Sequence, residues 1–228
     1  MIGNENGEII VKKHTGTLPE KGIVIGEAET GNDLQKWVAK AGTAWSLAGA
    51  AEFFAAIMEA RGKAIPQQEV VAQSPCLYVS GTTFEKSKIL IREIQEQQNT
   101  VVYIPETALQ NEKDAGIDIV QTIKEMLVKH NRCVLAVQEK DTHTTSPVQV
   151  RNKLAGLVKQ LLKQQNIQEL FIEGGATAGA ILEAMEWKDF TPVSEWQPGV
   201  VRMKINDQYL TVKPGSYQWT PQIESLFI

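Results

Sequence analysis

Glu173-Gly174-Gly175-Ala176-Thr177 places a glycine pair between a short apolar run, Leu170-Phe171-Ile172, and a helical pattern in which Ala178, Ile181, Leu182 and Met185 share one face. A strand that stops at two glycines and restarts as a helix can turn sharply and approach a ligand with no Cβ in the way. The first turn of that helix offers unpaired N–H groups and the positive end of its dipole, which suits a phosphate. Two further segments have the same character. Ser80-Gly81-Thr82-Thr83 follows an apolar run that ends at Val79, and Lys213-Pro214-Gly215-Ser216 follows the last apolar run of the chain. Each also fits a plain structural role: a helix cap for the first, a tight turn for the second and a surface turn for the third. No Walker-type lysine follows the glycine pair. The candidate ligand-binding residues are Ser80, Thr82, Gly174, Gly175, Ala176, Thr177 and Gly215.

Other reactive side chains carry less. Glu173 and Asp141 lie at expected strand ends and read as solvated surface carboxylates, with approach to a metal as the alternative. His143, in Asp141-Thr142-His143-Thr144-Thr145, titrates near neutral pH but reads as an exposed loop histidine. Trp219 reads as core or edge packing rather than a platform for adenine. Cys76 and Cys133 open apolar runs as small buried hydrophobes, and no second Cys or His stands at zinc-ligand spacing. No general base and no metal ligand is assigned.

The elements that must position these residues alternate. Apolar strands are expected at 76–79, 101–104, 133–137 and 170–172. Between them, helical stripes run through Leu90, Ile91 and Ile94, through Ile119, Val120, Ile123, Met126 and Leu127, and through Leu154, Leu157, Val158, Leu161 and Leu162. This order predicts an α/β fold with a mostly parallel sheet and helices on both faces. Val200–Ile205 and Tyr209–Val212 flank Asn206-Asp207, predicting an antiparallel C-terminal hairpin that closes the sheet edge. Open sheets of this kind bind ligands beyond the carboxyl ends of their strands, where all three glycine-bearing segments fall. Upstream, the first 20 residues read as a mobile arm or a short hairpin, 23–25 and 44–47 as strands, and 33–38 and 49–61 as helices. Pro66, Gln67 and Gln68 resemble a linker that ends near Pro75. Two parts are expected, 1–66 and 74–228.

Composition narrows the function classes. The 228 residues are 43% hydrophobic and 22% charged, with a net charge of -4 and a pI near 5.5. Nothing in that balance draws the whole chain to nucleic acid or to an anionic membrane. No apolar run reaches the ~20 residues of a membrane helix, and no signal-peptide pattern opens the chain. A cytoplasmic address is expected.

The order of the segments Ser80-Gly81-Thr82, Gly174-Gly175-Ala176-Thr177, Gln197-Pro198-Gly199-Val200 and Lys213-Pro214-Gly215 resembles the C-terminal nucleotide-binding domain of the four-carbon acid sugar kinases, over about residues 74–220. That family shows a Gly-Ser segment after its first strand, then Gly-Gly-x-Thr, Pro-Gly-Val and Lys-x-Gly. Residues 22–60 are similar to the closing part of its N-terminal sugar-binding domain, through Thr30–Leu34 and Leu47-Ala48-Gly49-Ala50-Ala51. The resemblance implies ATP contacts at Ser80 or Thr82, at Gly174 through Thr177 and at Gly215, with Mg²⁺ between the phosphates. It implies phosphorylation of a hydroxyl on a sugar acid of the threonate or erythronate type. The chain departs from the family in three ways: Ser80-Gly81 reverses the Gly-Ser pair, Thr82 and Ser87 exchange one hydroxyl residue for another, and the Asp-Asp-x-Thr-Gly segment is absent with most of the sugar-binding domain. An incomplete enzyme is therefore expected: an expressed fragment, a truncated gene or one half of a split kinase, inactive or nearly so alone, whose partner is a missing N-terminal half or a second copy. A non-catalytic nucleotide-binding module is the alternative. A Rossmann oxidoreductase is disfavoured, because no Gly-x-Gly-x-x-Gly follows a first strand with an acidic residue about 20 residues on.

Overall fold

The computed structural model describes residues 9–63, 70–82, 84–105, 108–109, 115–138 and 145–228, with the backbone alone at 115–117. Thr83, the 66–68 linker, Asp141 and His143 lie outside the described residues. The chain divides into two compact units, Met1–Gln67 and Gln68–Ile228.

In the first unit, β1 (Ile9–Lys13) and β2 (Ile23–Glu27) pair in parallel, followed by α1 (Gly31–Ala41) and α2 (Ala51–Ala60). Thr30 and Asp33 form a reciprocal capping box that starts α1. Gly26 lets β2 pass under Trp37, where a Cβ would lie 2.7 Å from the indole, and the indole N–H donates to the Glu27 carbonyl at 2.9 Å. Two expectations are corrected. The opening segment is neither arm nor hairpin over its described part, because Ile9–Lys13 pairs in parallel with a strand ten residues further on. Residues 44–47 form turn and coil, the α1–α2 connection, rather than a strand.

The second unit holds β3 (Cys76–Ser80), α3 (Glu85–Gln98), β4 (Val101–Ile104), α4 (Ala115–His130), β5 (Arg132–Val137), α5 (Pro147–Gln164), β6 (Glu169–Glu173), α6 (Gly175–Met185), β7 (Thr191–Gln197), β8 (Val200–Ile205), β9 (Gln208–Lys213) and α7 (Pro221–Phe227). Its seven strands run in the order β4-β5-β3-β6-β9-β8-β7, parallel from β4 to β9 and antiparallel from β9 to β7. The α/β fold with an antiparallel C-terminal hairpin is as expected, but β7, not the hairpin, forms the edge. Pro192 and two register shifts interrupt β7's ladder, which blunts that edge against further pairing.

Alternation along each buried strand splits its side chains between two layers. Leu77, Val79, Leu170 and Ile172 pack with the α4, α5 and α6 stripes. Tyr78 and Phe171 face the other way, toward Leu90, Ile91 and Ile94 of α3 and toward Trp219, Ile223 and Phe227. Trp219 is buried there, edge-on to Tyr78 at 5.3 Å and to Phe171 at 6.1 Å, so its ring is spent on the core.

Cys76 and Cys133 are buried and free, and burial pushes both thiols up to about 12. Burial and the Glu173 charge likewise raise Tyr78. A raised folded pKa means the folded state keeps a proton that the unfolded state releases, so this stability is complete below about pH 9 and lost as pH climbs toward 12. Lys213, lowered by burial, has the opposite slope, which ends by its ordinary 10.5. Denaturation midpoints are therefore expected to fall steadily above pH 10.5, and a thiol reagent at pH 8 to label neither cysteine faster than the protein unfolds. Rapid labelling of the native chain would contradict the burial.

Candidate functional site

Three neighbouring strands end in one row. Ser80 closes β3, Glu173 closes β6 and Lys213 closes β9, and the register places Ser80 beside Glu173 and Glu173 beside Lys213. The glycine-bearing segments of the sequence leave the sheet from that row. The location follows from topology. The chain leaves β3 toward β4 on one side and leaves β6 toward β7 on the other, so the crevice between β3 and β6 is a switch point of the sheet.

Gly174 is the N-cap of α6, with φ 92° and ψ 122°, a conformation that side-chain-bearing residues rarely adopt. Its N–H donates to the Lys213 carbonyl at 2.9 Å, and its carbonyl accepts from Ala178 at 2.9 Å. No side chain caps α6. Thr30, Ser146 and Thr220 cap α1, α5 and α7, whereas α2 and α3, like α6, start without a side-chain cap. Thr177, in the first turn, is mostly buried, and its hydroxyl lies 3.6 Å from where a Cβ on Gly174 would sit.

The segment after β3 closes on this turn. A Cβ on Gly81 would stand 2.9 Å from Leu154 Cδ1 and 3.1 Å from Thr177 Oγ1, so a larger residue there would make both side chains shift. Thr82 Oγ1 accepts from the Phe84 N–H at 3.0 Å and lies 3.9 Å from where a Cβ on Gly215 would sit. The structure thus gathers Thr82, Gly174, Gly175, Ala176, Thr177 and Gly215 at one end of the sheet. Ser80 is placed differently: it is buried beneath the group, and its hydroxyl donates to Glu173 at 3.2 Å.

Glu173 corrects the sequence reading. Far from being a solvated surface carboxylate, it is fully buried and accepts from Tyr78 at 2.5 Å, Ser87 at 2.5 Å, Ser80 at 3.2 Å and Lys213 at 2.6 Å. Lys213 is fully buried too, where a surface turn was expected to begin. Burial lowers the lysine's pKa, and its carboxylate partner opposes that shift. The sequence gives no signal for this pair, because an acid and a base that end two strands meet only where strand order sets them side by side. With four donors on it, Glu173 has no lone pair to spare for a metal. No cluster of three metal-ligating side chains exists among the described residues. A cleft of about 510 Å³ lined by Lys188, Asp189, Phe190, Thr191, Lys204 and Asn206 lies at the other end of the sheet, by the β8–β9 turn.

The glycine-led start of α6 thus lies at the switch point of a doubly wound α/β sheet, the place where ligands of such sheets bind. Comparison with known proteins makes the class specific. Residues 77–217 match the family described as nucleotide-binding C-terminal domain, and the chain belongs to that family. Its fold is shared with a Haemophilus influenzae protein of the family DUF1537 (13% identity, TM-score 0.58), covering 90% of this chain and 53% of that one. A Salmonella typhimurium LT2 protein is similar in fold at 13% identity and a TM-score of 0.62, over 91% of this chain and 52% of that one. A Bordetella bronchiseptica DUF1537 protein, solved as a domain-swapped dimer with bound citrate, matches at 15% identity and a TM-score of 0.55, over 96% and 58%. The chain therefore spans about half the length of these structures. No curated protein matches it. None of its described helices is long and apolar enough to cross a membrane.

Proposed function

We propose that this chain is the ATP-binding portion of a kinase that phosphorylates a hydroxyl of a four-carbon sugar acid, of the threonate or erythronate type. The observation that carries the reading is the first turn of α6: a helix start behind Gly174 that no side chain caps, with the Thr177 hydroxyl beside it and Gly81 packed close against it. Phosphate oxygens supply acceptors for the amide donors of that turn. Thr82 and Gly215 lie against each other and would flank the phosphate chain. Four-carbon acid sugar kinases are the DUF1537 proteins, which supports the choice of acceptor. The described residues suit ATP better than they suit a directly bound Mg²⁺, since Glu173 is engaged. Magnesium would be held by the phosphates and would neutralise their charge. The chain's own residues position and electrostatically stabilise; no described side chain takes the part of general base.

The half-length match supports an acceptor domain supplied from outside these residues, by a further segment or another subunit. The first unit fits that reading. Parallel strands are nearly always covered on both faces, yet Ile9, Val11, Ile23 and Ile25, paired in register on β1 and β2, stand 48–64% exposed. The same half-length favours a second reading, a nucleotide-binding module without catalysis.

Calorimetry of the isolated chain is expected to show binding of ATP and ADP and none of NAD. Thr177→Val should weaken ADP about tenfold or more, the worth of one hydrogen bond to a charged group. A coupled assay on tetronates should show no turnover by the chain alone. Preference for NAD, or no nucleotide binding, would overturn the site; kinase turnover by the chain alone would overturn its dependence on a partner.

A further inference from the structure

We infer that the buried Lys213–Glu173 pair is a positioning device for the nucleotide loops, acting from beneath without touching ligand; the inference rests on the nucleotide-binding reading above. Ser80, Glu173 and Lys213 form the last rung of three adjacent strands, and each is followed directly by one of the segments gathered at the site. Their polar atoms are used completely. Glu173 Oε2 accepts from Tyr78 and Ser80, and Oε1 from Ser87 and Lys213, which joins β3, β6, β9 and the first turn of α3. The ammonium's other two bonds go to the carbonyls of Pro214, at 3.2 Å, and Tyr217. Those carbonyls bracket Gly215, so one side chain ties down both ends of the turn that faces Thr82. The Lys213 carbonyl meanwhile holds the Gly174 N–H. One residue therefore sets the β9 turn through its side chain and the α6 cap through its backbone.

Energetics argue against stability as the reason for the pair. Taking an ammonium and a carboxylate out of water costs several kcal/mol per ion, and apolar replacements of similar size are often as stable. An apolar rung would hold the strands together equally well. It would leave the Pro214 and Tyr217 carbonyls without their donor and the turn free to move. What the ion pair adds is geometry: a point charge with three directional bonds locates the loops relative to one another, as a preorganised phosphate site requires.

The sheet supplies its own control. Glu169, at the opposite end of β6, makes another buried ion pair, with Arg202, far from the three loops. In the full chain, Lys213→Met and Arg202→Met should both lower the denaturation midpoint. Only Lys213→Met should speed ligand-free amide exchange at residues 215–217 and 174, by tenfold or more, and weaken ADP by a similar factor at temperatures where the variant is folded. Glu173→Gln, which keeps shape and leaves the lysine its carbonyl bonds, should show a smaller change of the same kind, and it decides the matter should Lys213→Met not fold. Unchanged exchange and affinity in these variants, or equal losses in Arg202→Met, would overturn the inference. Failure of the wild-type chain to bind ATP or ADP would instead overturn the reading of the site, and the exchange data would still show whether the pair holds the loops.

Discussion

Arg202→Met is expected to remove about 3–5 kcal/mol of stability, the usual consequence of leaving a buried charge without its partner. Glu169 opens β6 and is wholly inaccessible. The Arg202 guanidinium meets it in a two-pronged contact, Nε to Oε1 and Nη2 to Oε2, both at 2.8 Å. It also stacks on the Tyr209 ring at 3.8 Å, so its flat face is packed as well as its edge. Once the guanidinium is gone, Glu169 keeps, among the described residues, the Thr211 hydroxyl and the Gln73 N–H, too little to replace water around a full charge. Urea denaturation measures the loss. Adding Glu169→Gln to the Arg202→Met background should recover part of it, because the isolated charge, more than the missing contact, is what destabilises. A loss below about 1 kcal/mol, or no recovery in the double variant, would mean that water reaches the carboxylate.

The parts of this fold that could be read from the sequence are those where periodicity and burial say the same thing. Leu154, Leu157, Val158 and Leu161 mark α5 because a helix presents them on one stripe, and all four are buried. β3, β5 and β6 are apolar runs because both faces of a parallel sheet are covered. β7 was missed for the opposite reason: Thr191-Pro192-Val193-Ser194-Glu195 lies on an edge, mostly exposed, and carries a proline that argues against a central strand. The short α7 was missed although Thr220 and Pro221 give the standard cap and first-turn signals. At the site, glycines and hydroxyls were legible because their chemistry is local. The Glu173–Lys213 and Glu169–Arg202 pairs were not, since each joins residues 33–40 positions apart whose meeting is decided by strand order. Hydropathy alone assigns such charges to the surface.

Gly174→Val should be the variant most damaging to ligand binding for the smallest change in composition. At φ 92° a β-branched side chain costs about 1–3 kcal/mol in backbone strain. The chain can relieve that strain only by rotating the peptide that sets both the Lys213 carbonyl contact and the direction of the first α6 amides. Steric collision is not the cause, since a Cβ there would approach Thr177 Oγ1 no closer than 3.6 Å. If those amides hold phosphate, a turn misplaced by a fraction of an ångström should weaken ADP by roughly 30- to 100-fold, about 2–3 kcal/mol. Gly179→Ala is the matched comparison. It sits inside α6 with nothing within 4 Å of its new methyl group, so it should bind ADP normally and gain about 0.5–1 kcal/mol from helix propensity. Calorimetry and urea melts on the two variants separate the outcomes. Normal ADP affinity in Gly174→Val would remove the α6 N-terminus from the binding site, whereas equal losses in both variants would show that α6 as a whole, rather than its opening turn, governs affinity.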